Sequence, residues 1–556
     1  MSQNSNTRQR TGQTDASEEQ PEQPGENAFS RPNFPSSLYD SRREHDACGV
    51  GFVARLDAFA SHAVVDDALA ALGRMAHRGG GSFGTESADG AGILLPLPQA
   101  LMRRVWRPLC GEPPALHGLG HFFLPADDNA RRSMEKLIES TVTEQGLRVL
   151  AWRDTPVRPE VLPEQARASM PVIRQLLVGG SERESGRPDP GTDFERFLYV
   201  VRRRIERAVA EAFPAGRTGF HIASFSSRSV VYKGMLPGAK LAAFYPDLAD
   251  RDCAAHFAVF HERYSTNTRP AWRLAQPFHC LAHNGEINTL ACNQAAMRMR
   301  EPLLASPLFG DDARYLRPVL DADGSDSAML DNAFELLVRG GRSPAHAAMM
   351  LLPEPFGQTF VMGEDKRAFY EFHAALMEPW DGPAALVFTD GSRQVGAMLD
   401  RNALRPCRYA VTTDGLFVLA SESGVLDLPP ARIARRGRLQ PRRMLMIDFA
   451  RHRVITDAEC KNSVIYAKPY RHWVRERGLT LRDLPLPAGA CPPAARNNGK
   501  GRKRESGQKA AQEELLRQLH LYGFSREDVS DILAPMAKNA QEPVASMGRD
   551  TPLAVL

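Results

Sequence analysis

The stretch His45-Asp46-Ala47-Cys48-Gly49-Val50-Gly51-Phe52-Val53-Ala54 joins polar text to an apolar run bounded by glycines, and a thiol stands at the junction. A cysteine in that place has two uses. It can be a small buried core residue, or it can become residue one when the preceding peptide bond is cut, so that its own α-amine serves as the base for its thiol. Two polar clusters further on invite the same question: His261-Glu262-Arg263-Tyr264-Ser265-Thr266-Asn267-Thr268 and His283-Asn284-Gly285-Glu286-Ile287-Asn288. Each follows a strand-like apolar segment, where loops fixed by a rigid sheet commonly carry function.

The elements that must hold these residues can be read from pattern. The run after Cys48 predicts a buried strand, and Val65, Leu69, Leu72 and Met75 recur at helical spacing between Ser61 and His77, with Gly79 and Gly80 to end the helix. The segments 220–225, 229–232, 256–261, 384–391 and 416–420 read as strands. Ser325 is placed to cap a helix that begins at Asp326 and runs to Leu336. From Leu101 to Phe213 apolar runs alternate with charged helical stretches, and no finer order emerges. Gly79-Gly80-Gly81-Ser82-Phe83-Gly84 matches the G-x-G-x-x-G spacing of dinucleotide sites, but a helix precedes it and a strand follows. That order is the reverse of what a pyrophosphate site needs, so the cluster reads as a loop.

Composition excludes several classes. The 556 residues are 43% hydrophobic and 24% charged, with a net charge of +4, which is too small to imply nucleic acid. No apolar run is long enough to span a membrane and no secretory signal opens the chain, so a cytoplasmic protein is expected. The eight cysteines contain no C-x-x-C pair, which argues against a zinc ribbon or an iron–sulfur cluster in this chain. Residues 1–47 are polar and proline-rich and read as a disordered leader. Residues 476–510 read as a solvated linker, Pro-rich and then basic, and Ser525-Arg526-Glu527-Asp528 as a helix cap beyond it.

Taken together, Cys48-Gly49-Val50-Gly51-Phe52, the two polar clusters, Glu378-Pro379-Trp380-Asp381-Gly382-Pro383 and Leu399-Asp400-Arg401-Asn402 resemble the class II glutamine amidotransferase domain of the glutamate synthase large subunit. The resemblance spans residues 48–475, and residues 511–556 resemble the opening of that enzyme's central domain, cut short. It implies an α+β fold, the four-layer αββα sandwich of N-terminal-nucleophile hydrolases. It also implies removal of residues 1–47 and hydrolysis of L-glutamine to L-glutamate and ammonia through a Cys48 thioester. Asn284 and Gly285 are then the oxyanion donors, Arg263 the partner of the substrate α-carboxylate, and Asp326 that of its α-ammonium. The chemistry suits these residue types: a thiol of ordinary pKa near 8.5 beside an α-amine of about 7.7–8.0 has its base at hand, and an arginine fork matches a carboxylate. No cofactor or metal is expected in this chain; FMN and an iron–sulfur cluster belong to the missing synthase domains, expected on a separate polypeptide partner. Two other readings stay open, a silent glutamine-binding or docking module and an amidotransferase serving another acceptor. In one respect the chain departs from the family pattern: Gly80 stands where Ala is usual after His77-Arg78-Gly79, which implies a looser loop near the substrate.

Overall fold

The computed structural model describes residues 48–80, 88–180, 189–214, 219–265, 268–357, 359–479, 484, 505–525 and 527–540. The expected leader, most of the expected linker, the chain end and Gly81–Gly84 of the glycine cluster lie outside the described residues. Two compact units are separated at Gly478/Leu479.

In the larger unit a seven-stranded sheet is built around β1 (Gly49–Arg55), with β2 (Ala91–Pro96), β7 (Ser229–Gly234), β8 (Phe257–Glu262), β12 (Arg408–Thr412), β13 (Leu416–Ala420) and β14 (Ile433–Arg438) in the order β14-β12-β13-β1-β8-β2-β7. A five-stranded sheet has the order β16-β15-β11-β10-β9, from β16 (Arg453–Ile455), β15 (Met444–Asp448), β11 (Gln394–Leu399), β10 (Ala384–Thr389) and β9 (Leu281–Gly285). Neighbouring strands in both are antiparallel.

Alternation along the strands builds the layers. Val50, Phe52 and Ala54 of β1, Phe257 and Val259 of β8 and Phe417 and Leu419 of β13 meet Ala282 of β9, Ala385 and Val387 of β10 and Ala397 of β11 in one cluster between the sheets. The intervening residues of the first sheet, Val53, Ala258 and Phe260, pack outward on Val64, Val65, Ala68 and Leu72 of α1 (His62–Arg74). Those of the second sheet, Leu281, Ala384, Leu386 and Phe388, pack outward on residues of the helices Asp326–Arg339, Pro344–Leu351 and Glu364–Ala374. The fold is therefore α+β, in four layers ordered αββα. With both faces of each sheet covered, strands such as β1 and β10 read as continuous apolar runs rather than as alternating ones.

The stretch the sequence left unordered supplies β3 (His117–Leu124), β4 (Arg148–Asp154) and β5 (Val172–Gly179), which join β6 (His221–Ser226), expected from the run 220–225, in a third, antiparallel sheet of order β4-β5-β3-β6. Helices α2 (Asp128–Glu144) and α3 (Pro190–Ala212) pack on it through Met134, Ile138, Leu198 and Ile205. Helix α1 stops at Arg74, short of the glycines, and a 3-10 turn over Ala76–Arg78 completes the descent to Gly79. The cap at Ser325 forms as expected, accepting from the Ala328 N–H.

The two sheets are joined by a hydrogen bond as well as by apolar contact. His261 Nε2 on β8 lies 3.1 Å from the carbonyl oxygen of His283 on β9, so the ring donates there. His261 is fully buried, and that burial pushes its pKa down to about 3. Burial likewise lowers His121 to about 4, His346 to about 3 and His373 to about 4. Each ring is neutral when folded and takes a proton more readily when unfolded. Their contribution to stability is therefore complete above the ordinary histidine value near 6.5 and is lost as pH falls towards 3–4. The expected outcome is a urea midpoint that declines steadily between about pH 6.5 and 5, before most carboxylates titrate. A midpoint constant over that range would show that these rings are hydrated in the folded protein.

Candidate active site

The residues singled out by sequence converge on one end of the sandwich. Gly49 pairs with Glu262 and Val50 with His261, so Cys48, one residue before β1, stands beside Arg263, one residue after β8. Val50 and Val259 face the space between the sheets, and continuing the alternation turns Cys48 and Arg263 the same way. On the facing sheet Ala282 points inward, and so does Asn284 two residues on, in register with inward-facing Ala385. Because His261 bonds to the His283 carbonyl, the end of β8 is held against the end of β9, one residue from Asn284.

The Cys48 sulfur accepts from the Tyr264 N–H at 3.3 Å and lies 3.4 Å from the Tyr264 carbonyl oxygen. Burial pushes its thiol up to about 11; the Tyr264 backbone contact and the charges of Arg263 and Arg405 oppose that rise, and Asp326 adds to it. At neutral pH the group is a protonated thiol. It needs a base to act as a nucleophile.

Arg263 is almost wholly buried, yet no carboxylate is hydrogen-bonded to its guanidinium among the described residues. Its donors reach the Thr268 hydroxyl at 2.7 Å, the Ser265 hydroxyl at 3.1 Å and the Asp89 carbonyl at 3.4 Å. Burial pulls its pKa below the usual guanidinium range, against the charges of Asp89, Cys48 and Asp326. A carboxylate ligand would relieve that cost. The Asp89 carboxylate accepts from the Ser265 N–H and thereby holds the segment after Arg263. Its place depends on Gly80, where a Cβ would come 1.9 Å from Asp89 Oδ2. Gly80 thus makes room for this carboxylate; the loop it was expected to loosen continues into residues 81–87, which lie outside the described residues.

Asn284 is buried, and its Oδ1 has no hydrogen-bond partner among the described residues. Gly285, at φ +146°, lies so close to the Pro383 carbonyl that a Cβ would sit 1.7 Å from its oxygen. The Trp380-Asp381-Gly382-Pro383 stretch, chosen from sequence only as a marker, packs against this turn. The Pro383 carbonyl accepts from the Glu286 N–H at 2.9 Å, the Asp381 carbonyl from the Asn288 N–H at 2.8 Å, and Gly382 has no room for a side chain against the Glu286 oxygen. Asp326, first residue of the helix Asp326–Arg339, accepts from the Ile287 N–H at 2.9 Å, which brings it to the same turn. Thr266 and Asn267 lie outside the described residues.

Asp89 and Arg405 are the neighbours that sequence reasoning missed. Asp89 is one half of an ordinary Asp-Gly pair, and Arg405 sits in a connecting loop without periodicity; neither carries a local signal. One group of metal-ligand type occurs among the described residues, His279, Asp331 and Glu335, and its atoms are already engaged. His279 meets Asp331 at 3.0 Å and the Ile222 carbonyl at 3.2 Å, Asp331 accepts from the Cys280 and Leu281 N–H groups, and Glu335 pairs with Arg202. Two guanidiniums, Arg202 and Arg339, border the group and would repel a cation.

Comparison with known proteins bears on the same residues. A family model described as class-II glutamine amidotransferases matches residues 48–473, and one described as the glutamate synthase central domain matches residues 517–556. The chain is 40% identical over 520 residues to the NADPH glutamate synthase large chain of Bacillus subtilis, covering 93% of this chain and 32% of that one. To ferredoxin-dependent glutamate synthase 2 of Synechocystis it is 40% identical over 518 residues, covering 92% and 31%. This chain thus spans about a third of the length of the curated relatives it matches. Among solved structures, glutamine phosphoribosylpyrophosphate amidotransferase from B. subtilis is similar at a TM-score of 0.25 and 18% identity over 41% of this chain and 40% of that one. The fold assignment rests on the layers described above.

The crowding at Gly285 is open to test. Gly146 also has positive φ, +82°, but a Cβ there meets nothing within 4 Å. Gly146→Ala should therefore cost only the backbone strain, on the order of 1–3 kcal/mol, whereas Gly285→Ala must in addition displace Pro383. Chemical denaturation should rank Gly285→Ala as clearly the more destabilised; equal losses would mean that the Pro383 carbonyl moves aside freely.

Proposed function

The chain belongs to the class-II glutamine amidotransferases, and from that premise we propose that residues 48–473 hydrolyse L-glutamine to L-glutamate and ammonia, with Cys48 as nucleophile once the Ala47–Cys48 bond has been cut. The observation that carries this reading is the convergence of Cys48, Arg263 and Asn284 on the space between the sheets, at one end of the sandwich.

In this reading the freed α-amine takes the proton of the buried thiol, which its raised pKa makes necessary at neutral pH. The sulfur attacks the carbon of the side-chain amide, and the oxygen, now an oxyanion, is met by the Asn284 side-chain amide and the Gly285 N–H. The α-ammonium returns the proton to the leaving nitrogen and ammonia departs, leaving a thioester. Water, deprotonated by the same amine, adds to the thioester carbonyl, and collapse of that second intermediate releases glutamate and restores the thiol. Arg263 holds the substrate α-carboxylate in its planar fork, and Asp326 holds the α-ammonium. Neither group takes part in the bond changes. They place the amide at the sulfur.

The match of residues 517–556 to the glutamate synthase central domain supports assigning the ammonia to glutamate synthesis. Reduction of an imine formed with 2-oxoglutarate would fall to synthase domains carrying FMN and an iron–sulfur cluster, on a separate polypeptide, since such chemistry is a cofactor's. Among the described residues no helix is long and apolar enough to cross a membrane, and we assign the protein to the cytoplasm.

Intact-mass measurement of active protein should give a chain beginning at Cys48, and Cys48→Ala should retain residues 1–47; a leader retained on active enzyme would exclude the α-amine as base. Asn284→Ala should lower kcat by roughly a hundredfold or more through the lost donor, while Arg263→Ala should act chiefly on KM. The chain alone should form one glutamate per glutamine and leave 2-oxoglutarate unconsumed.

A further inference from the structure

The loop from Asp400 to Cys407 leaves one sheet and enters the other at the end of the sandwich that carries the site. It begins after Leu399, which pairs with Ala385 beside Asn284, and it ends at Arg408, which pairs with Ala420, itself one strand from Gly51 of β1. Both ends are pinned. Asp400 accepts from the Ala384 N–H at 2.9 Å and from the Asn402 N–H at 2.7 Å, and the Cys407 carbonyl accepts from the Leu439 N–H at 2.9 Å, with the Cys407 side chain buried between the sheets. Between these anchors lies Arg405, half-buried, whose Nε is shut away from solvent and meets no acceptor among the described residues.

An arginine whose Nε is buried without an acceptor loses solvation that nothing on its own loop returns. Its charge is felt across the site, at the Cys48 sulfur and at His283 next to Asn284. We propose that Arg405 is a positioning residue for the reaction at Cys48: the crossover loop holds its guanidinium where its charge favours the thiolate and disfavours protonation of the adjacent α-amine. The charged groups that act on the sulfur are then Arg263 from the end of β8, Arg405 from the crossover and Asp326 from the helix behind the second sheet, with Asp89 acting on Arg263. Arg263 is committed to a substrate carboxylate in the reading above, which neutralises it when substrate binds. Arg405 is the cation left uncompensated at that moment.

The inference rests on Cys48 being the nucleophile, but its test does not need turnover. Alkylation of Cys48 by iodoacetamide, followed by peptide mass spectrometry in full-length protein, reports thiolate whether or not residues 1–47 are present and whether or not glutamine is hydrolysed. With Arg405→Gln, alkylation at fixed pH between 7.5 and 9 should slow by roughly three- to tenfold, and the rate should recover as pH is raised. Arg405→Lys, which keeps the charge, should stay within about twofold of the unmodified protein. Cys292, exposed on the Leu290–Arg300 helix, serves as the internal reference in each sample, and its rate should not change. Unchanged Cys48 alkylation in Arg405→Gln would overturn the proposal. So would equal slowing in Arg405→Lys and Arg405→Gln, or a Cys48 rate raised in Arg405→Gln as the loop opens, because each would assign Arg405 to shape rather than charge. If glutamine turnover were absent while the alkylation pattern held, the functional reading would fail and the electrostatic one would stand.

Discussion

The bond from His261 Nε2 to the His283 carbonyl is the constraint on which the site depends, because it is a directional link at the site's end of two sheets that meet there largely through apolar side chains; the polar links of His256 to the Ser392 carbonyl and of Arg228 to Asp390 lie at the β10–β11 turn. Apolar packing alone would tolerate small slides of one sheet across the other. A hydrogen bond in a dry interior does not, since breaking it leaves a buried carbonyl under-satisfied. The His283 backbone is held further by Gln276, whose amide receives the His283 N–H at 2.8 Å and donates to its carbonyl at 3.2 Å. On one side of this junction the next residues are Glu262 and Arg263, and on the other Asn284 and Gly285. The spacing between the sulfur and the Asn284 amide is thus inherited from a contact one residue deeper in the core.

That arrangement places ionisable groups where water is scarce, and the structure keeps them in the protonation states burial allows. Glu262, fully buried beneath α1, has its carboxyl pushed well above the usual range by desolvation, against a hydrogen bond from the Gly238 N–H, and the nearby Asp89 charge raises it further. A neutral Glu262 leaves Asp89 and Asp326 as the carboxylates that counter Arg263. The balance around Cys48 then favours positive charge, with two guanidiniums and one carboxylate acting on the sulfur. The two guanidiniums oppose the rise that burial imposes on the thiol without cancelling it, since it still reaches about 11.

The candidate residues that the structure brings to one end of the sandwich stand out in the sequence because all but Asp326, which opens a capped helix, lie in short unbroken motifs at strand ends, while their roles come from the family resemblance. Cys48, Arg263, Asn284, Gly285 and Asp326 were all singled out, and the cap at Ser325 formed as its spacing required. The strands next to the site, β1, β2, β7, β8, β9, β10 and β13, are readable as apolar runs, whereas β11, β12, β14, β15 and β16 are not singled out, and the assignment to four layers comes from family resemblance, since a run buried on both faces does not say what covers it. Of the third sheet only β6, in the run 220–225, is readable in the sequence; β3, β4 and β5 are not. Its edge strand β4 is only partly buried, and the segment between β3 and β5 is dominated by the amphipathic helix α2, so charged helical text masks the strands beside it. Arg405 and Asp89 escaped for another reason: a residue that acts by charge through space leaves no periodic trace in its neighbours.

The glycines show why motif spacing and mechanism came apart in one place. The cluster beginning at Gly79 satisfies a phosphate-loop pattern in spacing alone, and comparison with the family suggested looseness at Gly80. In the fold, Gly79 and Gly80 lie where the two acidic neighbours of Arg263 need space: a Cβ at Gly79 would approach Glu262 Oε1 to 2.6 Å, and one at Gly80 would overlap Asp89. The Gly80 N–H also donates to the Arg263 carbonyl at 3.1 Å. The absence of side chains here therefore makes room for Glu262 under α1 and for Asp89 beside the segment after Arg263, while Gly285 and Gly382 let the turn after β9 close against Pro383 and Glu286. Glycine thus serves close approach on both sides of this end of the sandwich; the other two glycines of the fingerprint, Gly81 and Gly84, lie outside the described residues.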